Sequence, residues 1–500
     1  INKLQFFIHM DLLTIVTAGS VDDGKSTLIG RLLYDAGQIF EDQIEAVKKL
    51  DRINGELDFS LFTDGLSAER EQKITIDVAY RYFSTLKRRF IIADVPGHTQ
   101  YTRNMITGSS KADVALVLVD ATNGLSRQTK RHLFIATLFR IPHIVIVINK
   151  MDMVNYDQKL FESIRKDCND YMEKLNIVDL QFIPASSLKG DMVVTRGSNM
   201  NWYGGRTILD YLESVEIVGL RNLVDFRFPV QYVIRSNQEM RGYAGNVESG
   251  IIRVGEEVKI FPSGSSTTVK NIFVDGKKRM FAFNPESPVI NFKDQVDISR
   301  GDMIVKKGNI PEVANTIDAM VCWFSDSPFE NGKRYVLKHT TNTTYVFVEN
   351  IFYKINVDSL HHENMPSLNL NEIGKVCLKT QKQIIFDSYI RNKKTGSFII
   401  IDEITNNTVG AGIILGSVKN NIPDVVNNQL LKKCGLILWL TGLSGSGKTT
   451  IAAGLKNQLE KMGVACEHLD GDIFRKELNL GLSYSESDRI KNIEIAGYVA

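Results

Sequence analysis

The sequence predicts an α/β domain with a phosphate-binding loop, then two β-barrels, and then the start of a second α/β domain with a loop of the same kind. Two apolar, strand-like runs, residues 12–17 and 436–441, are each followed by the pattern G-x-x-x-x-G-K-[ST] and a helix-like segment. Residues 226–417 instead alternate short β-branched and aromatic runs with turns, which is typical of barrel strands. A Gly-rich turn is the alternative explanation for each loop, but two chance copies in one chain are rarely expected.

Length and composition fit a globular protein with several domains. At 500 residues, a prior of one domain per about 150 residues suggests more than two domains. The net charge of +2 gives no sign of a nucleic-acid or membrane surface. No apolar run reaches the roughly 18 residues of a membrane-spanning helix. Five cysteines without a C-x-x-C motif indicate reduced thiols and a cytoplasmic protein, and they argue against a zinc site.

The first phosphate-binding loop is predicted to hold a nucleotide. Backbone N–H groups of such a loop surround phosphate oxygens, Lys25 reaches the outer phosphates, and the Ser26 hydroxyl can ligate Mg²⁺. Asp94 ends the apolar run 90–93, where a carboxylate can hold the Mg²⁺ through water. The candidate residues of the loop are Gly19, Ser20, Val21, Asp22, Asp23, Gly24, Lys25, Ser26 and Thr27.

A later segment predicts which base is bound. The apolar strand 144–148 delivers Asn149, Lys150, Met151 and Asp152 to the carboxyl edge of the sheet. A carboxylate accepts hydrogen bonds from guanine N1–H and N2–H₂, whereas adenine offers no such pair of donors. Asp152 would therefore select GTP over ATP. A surface turn is the alternative explanation. Three further candidates follow downstream: Ser186, Ser187 and Leu188.

Two segments are predicted to sense the third phosphate. In a GTPase such segments order around the γ-phosphate and Mg²⁺ and relax after hydrolysis. Thr75 is the candidate in the first segment, both as a metal ligand and as a catalytic residue beside Lys25. The second segment is Asp94, Val95, Pro96, Gly97 and His98. His98 stands where a side chain could orient the attacking water. The other histidines, including His132, are expected to be structural.

These motifs, in this order, resemble the translational GTPases of the elongation-factor-Tu superfamily. More narrowly, residues 20–35, 76–83 and 100–105 resemble the large, GTP-binding subunit of bacterial sulfate adenylyltransferase. The resemblance implies GTP hydrolysis coupled to formation of adenylyl sulfate from ATP and sulfate. Lys73, Thr99 and Ser187 stand where that family usually has Gly, Glu and Ala.

The resemblance also implies a partner. The chain has no S-G-G-x-D-S pyrophosphate loop, so adenylyl transfer is expected on a separate small subunit of the PP-loop type. That subunit would bind the sulfate and ATP, and the two chains would form a hetero-oligomer. No nucleic-acid or membrane partner is expected.

The predicted domains follow from these patterns. The GTP-binding domain is expected over residues 1–225 and the barrels over 226–312 and 313–417. Turns are predicted at Ser263-Gly264, Asp275-Gly276 and Asn331-Gly332. For Arg241–Gly245 a β-turn with glycines at positive φ is favoured over a contact site.

A polar linker is predicted over residues 418–433, followed by a second nucleotide-binding domain over 434–500. No N-K-x-D follows the second loop, so ATP is the expected nucleotide. The loop candidates are Gly442, Leu443, Ser444, Gly445, Ser446, Gly447, Lys448, Thr449 and Thr450, of which Thr449 would also bind Mg²⁺.

This last stretch resembles adenylylsulfate kinase, which phosphorylates the 3′-hydroxyl of adenylyl sulfate (APS). The resemblance implies an APS site formed by Asp470, Asp472, Arg475, Arg489 and Asn492. Glu494 and Ile495 stand where the family normally has two arginines. We expect the 500 residues to be a fragment of a longer fused protein, and we expect them not to phosphorylate APS by themselves, because a P-loop kinase needs further strands and a lid.

A translation factor that binds tRNA or the ribosome is the alternative function. The near-neutral charge opposes it weakly, since tRNA binding needs clustered cations. The second phosphate-binding loop opposes it more strongly.

Overall fold

The structure is a computed structural model that describes residues 12–50, 57–63, 77–98, 102–175, 179–216, 222–237, 240–418, 440 and 446–461. It begins with a six-stranded sheet in the order β2-β3-β1-β4-β5-β6, flanked by helices; we call this part the α/β domain. All neighbouring strands are parallel except β2 and β3. Its strands are β1 (Leu12–Ala18), β2 (Ala79–Ser84), β3 (Arg89–Asp94), β4 (Val114–Asp120), β5 (His143–Asn149) and β6 (Leu180–Pro184). Its helices are α1 (Lys25–Asp35), α2 (Glu41–Leu50), α3 (Thr102–Ser109), α4 (Arg127–Leu138), α5 (Gln158–Met172) and α6 (Ile208–Ser214).

The composition of the central strands fits a sheet that helices cover on both faces. Every residue of β4 and β5 is buried, and both strands are almost continuous runs of Val, Ile and Leu. Parallel strands that lie between two layers of helices have this composition. The predicted strands at 12–17, 90–93 and 144–148 are confirmed as β1, β3 and β5. Because the strands are parallel, the loops that follow β1, β3, β5 and β6 lie at the same edge of the sheet.

The next part is a closed barrel, barrel II. Six strands pair in the order β10-β15-β7-β8-β14-β11, and pairing of β10 with β11 closes the ring. Strand β12 pairs antiparallel with the end of β11, and β9 pairs with β13. The bounds are β7 (Arg227–Asn237), β8 (Met240–Gly245), β9 (Ile251–Arg253), β10 (Glu257–Phe261), β11 (Ser266–Val274), β12 (Lys277–Arg279), β13 (Phe281–Phe283), β14 (Val289–Phe292) and β15 (Met303–Lys306).

Barrel III is also a closed ring of six strands, but its strand order differs from that of barrel II. Its ring is β18-β23-β24-β16-β22-β19, closed by pairing of β18 with β19. Strand β20 pairs with β19, and β17 pairs with β21. The bounds are β16 (Glu312–Trp323), β17 (Phe329–Glu330), β18 (Arg334–His339), β19 (Asn342–Ile355), β20 (His362–Glu363), β21 (Ser367–Leu368), β22 (Ile373–Phe386), β23 (Ser397–Ile401) and β24 (Thr408–Ser417).

The turn predictions have two outcomes. Gly264, Gly276 and Gly332 have positive φ angles, so the three predicted turns are confirmed. The β-turn predicted for Arg241–Gly245 is wrong, because these residues belong to strand β8. The glycines there allow close approach of other strands rather than a positive φ: a Cβ on Gly245 would lie 2.4 Å from the carbonyl oxygen of Pro229.

The α/β domain and barrel III share one apolar core. Six barrel III side chains are buried in the same cluster as the core of the α/β domain: Met320, Cys322, Val357, Ile373, Tyr389 and Ile413. Among the described residues, the core of barrel II forms a separate cluster. Cys168, Cys322 and Cys377 are buried free thiols.

One further helix, α7 (Lys448–Lys461), follows the barrels in the chain. In the part of the chain that the structure describes, no helix combines the length and apolarity needed to cross a membrane.

Candidate nucleotide-binding site

The loop from Gly19 to Ser26 connects β1 to α1 and turns sharply. Asp22 and Gly24 have left-handed backbone conformations, with φ of 66° and 88°. Lys25 is the first residue of α1 and is buried, and its Nζ donates to the carbonyl oxygens of Gly19 (3.1 Å) and Ser20 (2.7 Å). Burial lowers the pKa of Lys25, and the nearby carboxylates of Asp94 and Asp23 oppose that shift. The loop therefore holds a buried cation at its centre, which suits a phosphate ligand.

Asp23, itself a residue of this loop, stabilises the loop conformation. Its Oδ2 accepts a hydrogen bond from the backbone N–H of Ser20 at 2.5 Å. Burial raises the pKa of Asp23 to about 6, although Lys25 opposes the shift. A carboxyl group that gains a proton near neutral pH repels a phosphate less than a fixed anion does.

The segment after β3 lies directly against the loop. Asp94 is buried at the end of β3, and its Oδ1 accepts from the Thr17 hydroxyl at 2.8 Å. A Cβ on Gly97 would lie 2.5 Å from Lys25 Nζ and 2.9 Å from the carbonyl carbon and oxygen of Ser20, so only glycine fits there without a shift of the loop backbone. His98 follows at a partly exposed position. Val95 is fully buried and Pro96 is buried, so only the backbone of that pair could face a ligand.

Asn149 connects the loop to the base-recognition segment. Its Nδ2 donates to the carbonyl oxygen of Asp23 at 2.8 Å, and a Cβ on Gly24 would lie 2.5 Å from the same Nδ2. Its Oδ1 accepts from both the N–H (3.0 Å) and the hydroxyl (2.8 Å) of Ser187. The second of these bonds requires the hydroxyl of Ser187. Three segments far apart in the sequence are thus joined by one side chain.

Asp152 lies in a short 3-10 helix, Met151–Val154, directly after β5. Its Oδ1 accepts from the Ser186 hydroxyl at 2.6 Å, which fixes the orientation of a half-buried carboxylate. Met151 is fully buried, so its side chain belongs to the core. The exposed Leu188 contributes its carbonyl oxygen, which accepts from Arg31 Nη1 at 3.1 Å.

Two residues of this edge were not identified from the sequence. Asp120 ends β4, and its Oδ2 lies 2.8 Å from Lys150 Nζ. Burial alone would raise the pKa of Asp120, but hydrogen bonds from Lys150 and Thr122 lower it. The sequence did contain a pattern that could have identified Asp120, because this carboxylate stands at the end of an apolar strand. His132 is the second missed residue and has no such signal, because it lies inside α4.

The available donors fit Mg²⁺. Ser26 and Asp94 offer oxygen ligands of the kind that this ion prefers. Among the described residues, no cluster of three or more His, Cys, Asp or Glu side chains could hold a metal. Mg²⁺ is usually held by a few protein oxygens together with substrate phosphates, which agrees with so sparse a set. Lys73, Thr75 and Thr99 lie outside the described residues.

The second loop is described only at its end. Gly447 has a φ of 84°, and α7 begins at Lys448, so the transition from loop to helix falls where the motif predicts it. Lys448 Nζ lies 3.4 Å from the Ser446 hydroxyl, and Thr449 and Thr450 belong to the first turn. The other predicted residues of this domain lie outside the described residues: Gly442, Leu443, Ser444, Gly445, Asp470, Asp472, Arg475, Arg489 and Asn492.

Three parts of the chain match known families. Residues 10–225 match the elongation factor Tu GTP binding domain. Residues 316–415 match the GTP-eEF1A C-terminal domain-like family. Residues 434–500 match adenylylsulphate kinase.

Individual relatives match most of the chain. The bifunctional enzyme CysN/CysC of Mycobacterium tuberculosis is 46% identical over 505 residues, which cover 98% of this chain and 82% of that protein. Sulfate adenylyltransferase subunit 1 of Bacteroides fragilis is 47% identical over 421 residues, covering 83% of this chain and 88% of that protein. The bifunctional enzyme NodQ of Rhizobium sp. (strain N33) is 44% identical over 502 residues, covering 98% of this chain and 78% of that protein. The chain therefore belongs to the family that comprises sulfate adenylyltransferase subunit 1 and the bifunctional CysN/CysC enzymes, as its motifs predicted.

Proposed function

We propose that this chain binds and hydrolyses GTP and couples that reaction to formation of adenylyl sulfate and diphosphate from ATP and sulfate. The observation that carries the proposal is the Asn149 network. It joins the phosphate loop at Asp23 to the base-recognition segment at Ser187, beside an Asp152 carboxylate held by Ser186. Such an arrangement presents phosphate donors and a guanine-selective acceptor in one site.

Each group of site residues has a role that its chemistry suggests. Lys25 and the N–H groups of residues 19–27 would bind the phosphates, and Ser26, Asp94 and Thr75 would hold Mg²⁺, which neutralises phosphate charge when bound. Asn149, Lys150, Met151, Asp152, Ser186, Ser187 and Leu188 would form the base site. His98 would orient the attacking water. Because Lys25 Nζ occupies the space where a Cβ of residue 97 would lie, a rearrangement of this segment after hydrolysis would alter the surroundings of the phosphate-binding lysine.

Coupling has a chemical reason. Adenylyl sulfate contains a mixed anhydride whose formation from ATP and sulfate is strongly uphill, which gives a physical reason to link it to hydrolysis of a second nucleotide. We propose that adenylyl transfer occurs on a separate small subunit with a PP-loop, that the two chains form a hetero-oligomer, and that they work in the cytoplasm. Membership of the sulfate adenylyltransferase family favours this function over the translation-factor alternative.

The last domain would use ATP to phosphorylate APS at its 3′-hydroxyl. Lys448 and Thr449 would bind the ATP phosphates and Mg²⁺ in the helix start that follows Gly447. Asp470, Asp472, Arg475, Arg489 and Asn492 remain the proposed APS residues.

The decisive experiment measures GTP hydrolysis by the purified chain with and without the small subunit, sulfate and ATP. We expect a large stimulation only when all three are present, together with accumulation of adenylyl sulfate. Stimulation by aminoacyl-tRNA, with no response to sulfate and ATP, would contradict the proposal.

Two variants separate base selection from hydrolysis in that assay. We expect Asp152→Asn to shift hydrolysis from GTP toward XTP, because the exchanged amide matches the 2-oxo edge of xanthine. We expect His98→Ala to keep GTP binding and to lower hydrolysis by roughly 100-fold, which is the scale of losing a group that positions a nucleophile. An unchanged GTP preference would remove Asp152 from the base site.

A further inference from the structure

Helix α4 lies between the phosphate loop and barrel III, and His132 is its contact with the loop. The imidazole is 1% exposed, and its Nδ1 accepts a hydrogen bond from the backbone N–H of Gly19 at 3.0 Å. The carbonyl oxygen of the same Gly19 accepts from Lys25 Nζ at 3.1 Å. One residue at the start of the loop, Gly19, thus separates His132 from the phosphate-binding lysine.

The imidazole acts here as a fixed acceptor. Because the Gly19 N–H points at Nδ1, that nitrogen carries no proton, and Nε2 lies 3.0 Å from the side-chain amide of Gln128. Burial, together with the positive charges of Lys25 and Arg131, lowers the pKa of His132 to about 3. The ring therefore stays neutral throughout the physiological pH range, and it neither donates nor takes up protons there.

The start of the loop has little freedom to find another partner. Gly19 has a φ of 148°, and a Cβ there would lie 2.9 Å from the carbonyl oxygen of Leu118 in β4. The peptide is therefore enclosed between β4 and α4. Without the imidazole, its N–H would be a buried donor with no acceptor, which is costly.

Barrel III holds α4 at both ends. At the beginning of the helix, Arg127 Nε lies 2.7 Å from Asp358 Oδ2. Immediately after its end, the carbonyl oxygen of Phe139 accepts from the Tyr389 hydroxyl at 3.2 Å. Both Asp358 and Tyr389 lie in loops of barrel III. The position of His132 is therefore tied to that barrel at two points.

We propose that His132 is a positioning residue for GTP binding and hydrolysis: its Nδ1 fixes the first peptide of the phosphate loop, on a helix whose ends are anchored to barrel III. Barrel III thereby affects the placement of Lys25. The inference rests on the proposed function of this loop. His132 would not touch the nucleotide, so it acts through Gly19 rather than as a catalytic residue.

A matched pair of variants tests the acceptor. Asn and Leu have similar volumes, but only Asn can place an oxygen where Nδ1 stands. In the full chain we expect His132→Leu to release a fluorescent GDP analogue roughly 10-fold faster and to slow single-turnover GTP hydrolysis. His132→Asn should stay within about 3-fold of the wild type. A purely structural histidine would give equal release rates for both variants, and that result would overturn the proposal.

A second arm tests the anchoring. Tyr389→Phe removes the hydroxyl that contacts Phe139, and we expect it to speed GDP release by about 3-fold, the scale of one hydrogen bond. In the His132→Leu background the same change should have no further effect. The control is Tyr335→Phe, a buried tyrosine in barrel III's own core, with no expected effect. Independent, multiplying effects of Tyr389→Phe and His132→Leu would overturn the link to barrel III.

The outcomes separate the two proposals. If the wild-type chain binds no guanine nucleotide, the proposed function fails and the role of His132 fails with it. If the wild type binds and hydrolyses GTP while the Leu and Asn variants release GDP equally fast, only the role of His132 fails.

Discussion

Barrel II and barrel III are both closed rings of six strands, yet they meet the rest of the chain through different surfaces. On barrel III, outward-facing Met320, Cys322 and Ile413 are buried in the core of the α/β domain. On barrel II, Tyr232 is 65% exposed and Ile234 on the same strand is also exposed. The two barrels therefore differ in what their outer faces contact, whereas their inner faces fill the barrel.

The contact between the two barrels is chiefly polar. Arg227 of barrel II is fully buried and pairs with both carboxylate oxygens of Asp387 in barrel III, at 2.7 and 2.8 Å. Thr395 also donates to Asp387. A small apolar cluster around Met303 and Ile385 lies beside this pair. Barrel III thus holds the α/β domain through apolar packing and barrel II through a buried ion pair.

The largest effect should come from breaking that ion pair. Asp387→Ala leaves the Arg227 guanidinium buried without its counter-charge, and we expect a loss of about 3 to 5 kcal/mol in the free energy of unfolding of the barrels. Urea titration with calorimetry as a second probe measures this. The control is Glu403→Ala, which removes an exposed pair with Arg334 and should cost less than about 1 kcal/mol. Equal small losses would mean that the barrels are not joined through Arg227.

How far the sequence predicted these features depends on distance along the chain. The phosphate loop, Asp94 and Asp152 each follow an apolar strand, and parallel strands bring such ends together, so local patterns were enough. The Gly19–His132 contact joins residues 113 positions apart, and Arg227 and Asp387 are 160 apart. Neither contact has a local pattern. Strand β8 was mispredicted because a glycine in a sequence can indicate either a turn with a positive φ or a close approach of two strands. The glycines of β8 serve the second purpose.

The apolar contact of barrel III should give the next largest effect. Ile413 and Leu415 both belong to β24, but Ile413 is 5% exposed on the face that the α/β domain covers, while Leu415, at a register shift of the strand, is 40% exposed. We expect Ile413→Ala to lower the free energy of unfolding by about 2 to 4 kcal/mol and Leu415→Ala by less than about 1 kcal/mol. Thermal unfolding of both variants measures the difference. Equal effects would mean that the α/β domain does not cover this face in solution.

The smallest effect should come from Asp225. Its response to pH should distinguish the polar contact between the two barrels from the apolar contact between barrel III and the α/β domain. Asp225 lies beside the ion pair at the junction of the barrels, where its carboxylate binds Arg391 at 2.8 and 2.6 Å and also accepts from Asn222 and Asn309. Burial alone would raise the pKa of Asp225, but these hydrogen bonds outweigh it and lower the pKa to about 2.

The lowered pKa of Asp225 determines how its contribution to stability changes with pH. A carboxylate whose pKa is lower in the folded than in the unfolded protein stabilises the fold above the unfolded value of 3.8, and this contribution is lost as the pH falls toward 2. We expect Asp225→Asn to cost about 2 kcal/mol at pH 5 and much less at pH 2.5. The cost of Ile413→Ala should be the same at both pH values, because that contact carries no titrating group. Urea titrations of both variants at the two pH values test this. If Asp225→Asn costs as much at pH 2.5 as at pH 5, the carboxylate does not stabilise the junction through its charge, and the polar and apolar contacts of barrel III cannot be told apart by pH.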